Sequence, residues 1–284
     1  MSRRLANLFQ GRPRLQVGAL LAGPVGWLVI GYLGSLAVLL IAAFWTVDPL
    51  SGEVIQGLSF ENVETLFDEP VYRDIVGRTV LIAALVTVTD AILAFPIAFY
   101  MAKVASRRGK ALLVVAVLLP LWSSYLVKVY AWRTILSAGG ILNWALEPFG
   151  MNGPGFGLTA VWLVMSYLWL PYMILPIYAG LERIPNSLIS ASEDLGASPF
   201  TTFRRVILPL VFPAVVAGSI FTFSLTLGDY ITPRLVSNDQ FIGNAVFANI
   251  VNNLPLASAL ALVPIVVMIG YLLVARKLGA FEHV

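Results

Sequence analysis

Hydrocarbon offers an unpaired backbone group no hydrogen-bond partner, so a chain that crosses a bilayer does so as helices or as a closed barrel. This sequence carries six long apolar stretches, at about residues 18–45, 79–102, 111–127, 158–180, 209–228 and 254–275. They suit helices of about 20 residues, not barrel strands of about 10. The fold class they dictate is an all-α integral membrane protein with six transmembrane helices. Composition agrees: 59% of the residues are hydrophobic and 12% charged, where a soluble domain has about 25% charged. The chain lacks cysteine, and its one histidine is His283. Disulfide frameworks, thiolate metal sites, cysteine nucleophiles and haem ligation are thereby excluded, and neither a metal nor a cofactor is expected.

The first stretch follows Arg3, Arg4, Arg12 and Arg14, as a signal peptide would, but its apolar core is about twice the length of a signal h-region. It reads as a retained anchor. Lys and Arg favour the inner side of a membrane. With the N-terminus inside, the inner segments hold the four N-terminal arginines, Lys103, Arg107, Arg108, Lys110, Arg183, Arg204, Arg205, Arg276 and Lys277. Only Arg73, Arg78, Lys128, Arg133 and Arg234 remain outside, so both termini are expected in the cytoplasm. The net charge of +3 hides this two-sided separation; it fits contact with an anionic leaflet and is no sign of a nucleic-acid partner, which is not expected.

Three connecting segments are too long for simple turns. Residues 46–77 are acidic, and Leu58, Phe60, Val63, Leu66 and Phe67 are spaced for a short amphipathic helix, serving either a docking surface or a solvated loop. In residues 128–157, Gly139 and Gly140 stop one helical piece, Ile141 to Leu146 forms another, and Gly153, Pro154, Gly155 and Gly157 make a turn. Tyr130, Trp132 and Trp144 there suit headgroup depth.

The inner segment 181–208 is too polar to span and patterned for two short helices. Pro185 and Asn186 open the first, Leu188, Ile189 and Leu195 give it an apolar stripe, and Gly196 stops it. Ser198 caps the second, with Pro199 at its first position. The result is a stiff bracket between two spans.

At these residues the chain resembles the membrane subunits of ABC importers, of the type I permease kind. Their signature is Glu-Ala-Ala, three residues, Gly, nine residues, Ile, any residue, Leu-Pro. Here it aligns with Ser190, Ala191, Ser192, Gly196, Val206, Leu208 and Pro209. Ser190 stands where the signature has glutamate, and Glu193 and Asp194 are the acidic residues of this turn. The resemblance implies that the stretch Ser190, Ala191, Ser192, Glu193, Asp194, Leu195, Gly196 and Ala197, with Leu208 and Pro209, couples the spans to a cytoplasmic ABC ATPase dimer. The segments YAWRTILSAGGILN, PIAFYMA, LGDYITPRLV and FIGNAVFANIVNN are similar to polyamine-type permeases. That likeness implies a second homologous permease subunit, an extracytoplasmic solute-binding protein and a small cationic solute such as spermidine or putrescine, with another small solute as the alternative, since related permeases with similar segments serve other solutes. With the importer family it implies the inner membrane of a prokaryotic cell. It divides the chain into a tail, first span and acidic loop (1–77), a permease core (78–275) and a short tail (276–284).

Two carboxylates fall within apolar stretches, Asp90 in the second and Asp229 at the end of the fifth. At membrane depth such groups cost several kcal/mol unless paired or hydrated, which makes them functional suspects. Asp229 is followed by Tyr230, and Trp122, Tyr125, Tyr167, Trp169 and Tyr172 lie in neighbouring spans. A carboxylate beside aromatic faces holds an alkylammonium ion by charge pairing and cation–π attraction. Asp229 also reads as a helix-end residue, and Asp90, beside Thr87 and Thr89, as part of a polar helix–helix contact. Prolines enter the spans at Pro24, Pro96, Pro120, Pro171, Pro176, Pro213 and Pro264, and bent helices suit a rocking pathway.

A phosphate-cradling Gly-x-x-x-x-Gly-Lys-Ser/Thr loop does not occur, so ATP hydrolysis falls to another polypeptide, and the chain is not expected to be an enzyme. A self-sufficient secondary transporter predicts inverted repeats, which the sequence does not show. A membrane scaffold leaves the bracket unexplained.

Overall fold

The computed structural model describes residues 13–277; Arg3, Arg4, Arg12 and the tail beyond Lys277 lie outside the described residues. The first span is α1 (Pro13–Trp27), a π-helical turn (Leu28–Leu33) and α2 (Gly34–Ala42). A two-stranded antiparallel hairpin follows, β1 (Thr46–Val47) with β2 (Val54–Ile55), then α3 (Glu61–Asp68). The second span, α4 (Pro70–Phe99), ends in a π-turn (Tyr100–Val104). It begins nine residues before the apolar stretch, because Pro70 at the first helical position starts the helix in the polar zone.

The third stretch departs from the expectation of one continuous helix. It is a broken pair, α5 (Arg107–Trp122) and α6 (Tyr125–Leu136), bent by 91° at Ser123 and Ser124. Pro120, inside α5, weakens the last turn before the break. The Pro120 carbonyl accepts from Ser123 Oγ at 2.8 Å and from Lys128 Nζ at 2.9 Å, so a cation on α6 caps the end of α5. Five other helical segments among the described residues are long and apolar enough to span a membrane.

After α6 come α7 (Ile141–Leu146) and a turn whose glycines Gly150 and Gly155 adopt positive φ. Asn143 ties this segment together, donating to the Ser137 carbonyl and accepting from the Gly153 N–H at 2.6 Å. A cleft of about 780 Å³ lies against it, lined by Trp144, Glu147 and Phe156 among others. The fourth span is α8 (Leu158–Arg183). The bracket consists of α9 (Asn186–Asp194) and α10 (Pro199–Thr202), continued by a π-turn (Phe203–Ile207) into α11 (Leu208–Gly228). Then come α12 (Ile231–Val236), α13 (Ile242–Asn249) and the last span, α14 (Leu254–Lys277).

The core is the packing of α4, α8 and α11. One cluster joins Ile82 and Val86 to Val161, Val164, Met165 and Leu168, closed by Val129 and Phe241. A second joins Ala94, Ala98 and Met101 to Met173, Ile177 and Leu181 and to Ile207 and Val211. Small residues let α8 and α11 approach. A Cβ on Gly180 would lie 2.5 Å from the Ala214 Cβ, and one on Gly218 would lie 2.8 Å from Met173 Sδ. Half of the apolar window of α8 is buried, against 6% for the first span, which sits at the rim with Trp27 and Ile30 exposed.

The acidic segment 46–77 does contain a short helix, with Leu66 buried, yet Leu58 and Phe67 are exposed. The residue that anchors α3 is Asn62, whose Nδ2 donates to the carbonyls of Ala43 and Trp45 and closes the end of the first span. On the same side Arg78 pairs with Asp239 at 3.6 Å, and Thr79 Oγ1 accepts from the Ile242 N–H.

Gly218→Val forces α8 and α11 apart and is expected to cost about 1–3 kcal/mol, read as a lower unfolding midpoint in detergent. Gly270→Ala, where an added Cβ meets nothing within 4 Å, is expected to leave the midpoint unchanged or slightly raised.

Candidate functional site

The bracket is held by local chemistry at each corner. Gly196 has φ +79°, which glycine adopts without strain. Its N–H donates to the Glu193 carbonyl at 2.8 Å, and the Ala197 N–H donates to the Ser192 carbonyl at 3.1 Å. This is the Schellman pattern that closes a helix C-terminus. Ser198 Oγ accepts from the Thr201 N–H and caps α10. Across the elbow, Ser192 Oγ and Thr202 Oγ1 lie 3.0 Å apart in a hydrogen bond. Pro209 has no N–H to give the helix, and the π-turn before it, in which the Leu208 N–H reaches the Phe203 carbonyl, absorbs the change.

The bracket also grips the spans. Phe203 packs edge-on against Phe95 of α4, with centroids 5.3 Å apart. Ile189 joins the inner core cluster, whereas Leu188 is half exposed and Leu195 is 88% exposed. Leu195 therefore leaves the stripe expected for α9 and, with Phe200 at 69% exposure, presents an apolar surface at the tip. Ser190, Ala191, Glu193 and Asp194 are exposed beside it.

At the far end of α11, Asp229 is 9% exposed and its carboxylate is fully engaged. Oδ1 accepts from the N–H groups of Ile231 and Thr232, and Oδ2 from Thr232 Oγ1 at 2.6 Å. Tyr125 Oη lies 2.6 Å from both oxygens. Asp229 thus caps α12 and locks it to α6. The tyrosine begins an aromatic ladder: Tyr125 stacks on Trp169 at 6.0 Å, and Trp169 meets Tyr172 at 6.0 Å.

Other predicted path residues fall elsewhere. Tyr167 pairs with Trp132, and Tyr230 stacks on Phe247, beneath which Arg234 also lies, 5.2 Å from the ring centroid. Trp122 is 84% exposed at the break of the third span. The break turns it away from Tyr125, three residues on, which a continuous helix would have kept on the same face. Asp90 has no exposed surface and sits at the α4–α8 seam facing Ser166, one turn from the bond between Trp162 Nε1 and Thr89 Oγ1. Its carboxyl oxygens, Ser166 Oγ and Trp169 Nε1 have no hydrogen-bond partner among the described residues. Trp169 follows Ser166 by three residues along α8, so this buried polar patch lies next to the aromatic ladder.

The family model of the binding-protein-dependent transport system inner membrane component matches residues 76–279. The chain belongs to that family. It is accordingly a membrane-spanning ABC importer permease, a subunit that performs no catalysis. The permease is 44% identical to the inner membrane ABC transporter permease protein YdcU of Escherichia coli K12, over 98% of this chain and 95% of that protein. It is 31% identical to the spermidine/putrescine transport system permease protein PotB of Haemophilus influenzae, over 83% of this chain and 84% of that protein. In fold it is similar to a chain of a bacterial ABC transporter that imports the acidic polysaccharide alginate. That match has TM-score 0.72 and 17% identity, over 97% of this chain and 98% of that one. A chain of a methionine ABC transporter matches with TM-score 0.58 and 14% identity, over 73% of the permease and 94% of that chain.

Sequence reasoning missed three residues of these sites. Thr232 carries a partial signal, since Asp229 is a preferred capping residue and Thr232 lies in the first turn after it. Lys128, which reaches the Pro120 carbonyl, and Lys103, which reaches the Ile184 carbonyl at the base of the bracket, carry none, because each acceptor is exposed only by a helix end that tertiary packing defines.

Tyr125→Phe leaves a buried carboxylate short of one donor and is expected to cost about 1–3 kcal/mol, measured as a lower unfolding midpoint in detergent. Tyr130→Phe, at an exposed ring, is the control expected to show no change.

Proposed function

We propose that this permease imports a small cationic solute of the polyamine class, by alternating access driven by a cytoplasmic ABC ATPase dimer seated on the α9–α10 bracket. The observation that carries the ATPase reading is the bracket itself. It is a closed Schellman elbow with an exposed apolar tip at Leu195 and Phe200, continuous through a π-turn with a core span. Such an element passes on a push instead of absorbing it. Ser190, Ala191, Ser192, Glu193, Asp194, Gly196 and Ala197 form its ATPase-facing edge, and Leu208 and Pro209 lead the motion into α11. The distribution of Lys and Arg supports a cytoplasmic bracket and cytoplasmic termini in a prokaryotic inner membrane.

The polyamine reading rests on the PotB relatives and on the ladder of Tyr125, Trp169 and Tyr172 beside Asp229. Aromatic faces attract ammonium groups by about 0.5–2 kcal/mol each, and the Asp229 charge adds a negative field. A second homologous permease completes the pathway, because one chain of this size encloses little of it. An external solute-binding protein meets the acidic segment 46–77 and the loops of 231–253.

Two measurements in vesicles containing the whole complex test this. Gly196→Val places a β-branched residue at positive φ and is expected to let ATP hydrolysis continue while spermidine uptake falls about tenfold or more. Unchanged coupling would remove the bracket from the mechanism. Asp229→Asn keeps a carbonyl oxygen for the Ile231 and Thr232 N–H groups but removes the charge. It is expected to weaken uptake of spermidine far more than binding-protein docking, and equal uptake by mutant and wild type would exclude Asp229 from the path.

A further inference from the structure

Lys103 occupies a position that coupling alone does not assign. It lies in the π-turn (Tyr100–Val104) that ends α4, where the Ala105 N–H reaches the Tyr100 carbonyl five residues back. The same turn sends Met101 into the inner core cluster. From it, Lys103 Nζ donates to the Ile184 carbonyl at 2.6 Å and to Asn186 Oδ1 at 3.1 Å. Ile184 is the C-cap of α8, and Asn186 is the first residue of α9. One ammonium group therefore joins the end of α4, the end of α8 and the start of the bracket.

The location suits a cation. The last carbonyls of a helix are unpaired and carry the negative end of its dipole, so an ammonium there satisfies an orphan acceptor and the field together. The pair Lys110–Glu182 stands beside it and ties the start of α5 to α8, with Lys110 also reaching the Ala102 carbonyl. At the opposite corner of the bracket, Phe203 against Phe95 gives a second grip on α4. Two fixed points some distance apart prevent rotation, which one contact does not.

We infer that Lys103 is a positioning residue that pins the bracket to the inner ends of α4 and α8, so that bracket and spans move as one rigid body. This rests on the coupling role proposed for the bracket and adds the residue that makes the joint stiff. Without the pin, α9 pivots about the Pro185 peptide, and a push on Leu195 is lost as local rotation.

The chain lacks cysteine, so two introduced cysteines are its only labelling sites, and they are labelled on this subunit before the complex is assembled. Spin labels at Ser187→Cys on the exposed side of α9, outside the ATPase-facing edge, and Val88→Cys on the exposed face of α4 report the bracket–span distance in the assembled complex, with and without ATP and vanadate. The wild-type background is expected to give one narrow distance distribution, unchanged by nucleotide. Lys103→Met, which keeps the aliphatic stem and removes the donor, is expected to broaden or split it, and Lys103→Arg to narrow it again. In vesicles, Lys103→Met is expected to raise ATP hydrolysed per spermidine imported about tenfold or more, since the ammonium's two charge-assisted hydrogen bonds are both lost, with the complex still co-purifying. Equal distributions in wild type and Lys103→Met overturn the pin, even where the bracket couples normally. Narrow wild-type and broad mutant distributions uphold it, even where spermidine proves to be the wrong solute.

Discussion

The constraint on which this structure depends is that a helix end near hydrocarbon must find partners for its unpaired backbone groups. At four ends a specific polar side chain supplies them. Asn62 closes the first span through the carbonyls of Ala43 and Trp45. Lys103 closes α8 at Ile184, and Lys128 closes α5 at Pro120. Asp229 opens α12 through the N–H groups of Ile231 and Thr232. The cations sit at carbonyl ends and the carboxylate at an N–H end, as the helix dipole requires.

Each of these caps comes from a different element than the end it closes, Asp229 excepted, and so each is also a tertiary joint. Lys128 holds the 91° bend of the third span, while the Tyr125 hydroxyl ties the helix beyond that bend to Asp229 and hence to the end of α11. Lys103 and Phe203 hold the bracket. Between these polar joints the three core helices meet through apolar contacts and two close glycine approaches, at Gly180 and Gly218. A membrane interior lends no hydrophobic drive to helix association, so small residues and close packing take its place. Rigid rods with defined joints at their ends are the parts an alternating-access device needs.

Much of this was legible from residue order. Long apolar runs announce spans because nothing else is stable in lipid, and Gly196, Ser198 and Pro199 announce the elbow because each residue suits one backbone geometry. The site around Asp229 was legible in part. A carboxylate at the end of a span pointed to that residue, and the Tyr125–Trp169–Tyr172 ladder did form near it. Trp122 and Tyr230 did not join it, since the break at Ser123 and Ser124 turns Trp122 outward and α13 draws Tyr230 onto Phe247. The hairpin of Thr46–Val47 with Val54–Ile55 gave no signal, because two-residue strands are too short to show alternation.

By itself the sequence determined that the chain is a bundle of membrane helices with a stiff, glycine-stopped elbow between the fourth and fifth spans. Those properties follow from local periodicity and from backbone preferences that act over a few residues. Only the tertiary structure decided which polar groups face one another: that Asp229 is engaged by Tyr125, that Asp90 is buried against Ser166, and that Lys103 reaches the far end of another helix. Such pairings join residues up to 104 positions apart, and their geometry exists only once α4, α8 and α11 have packed.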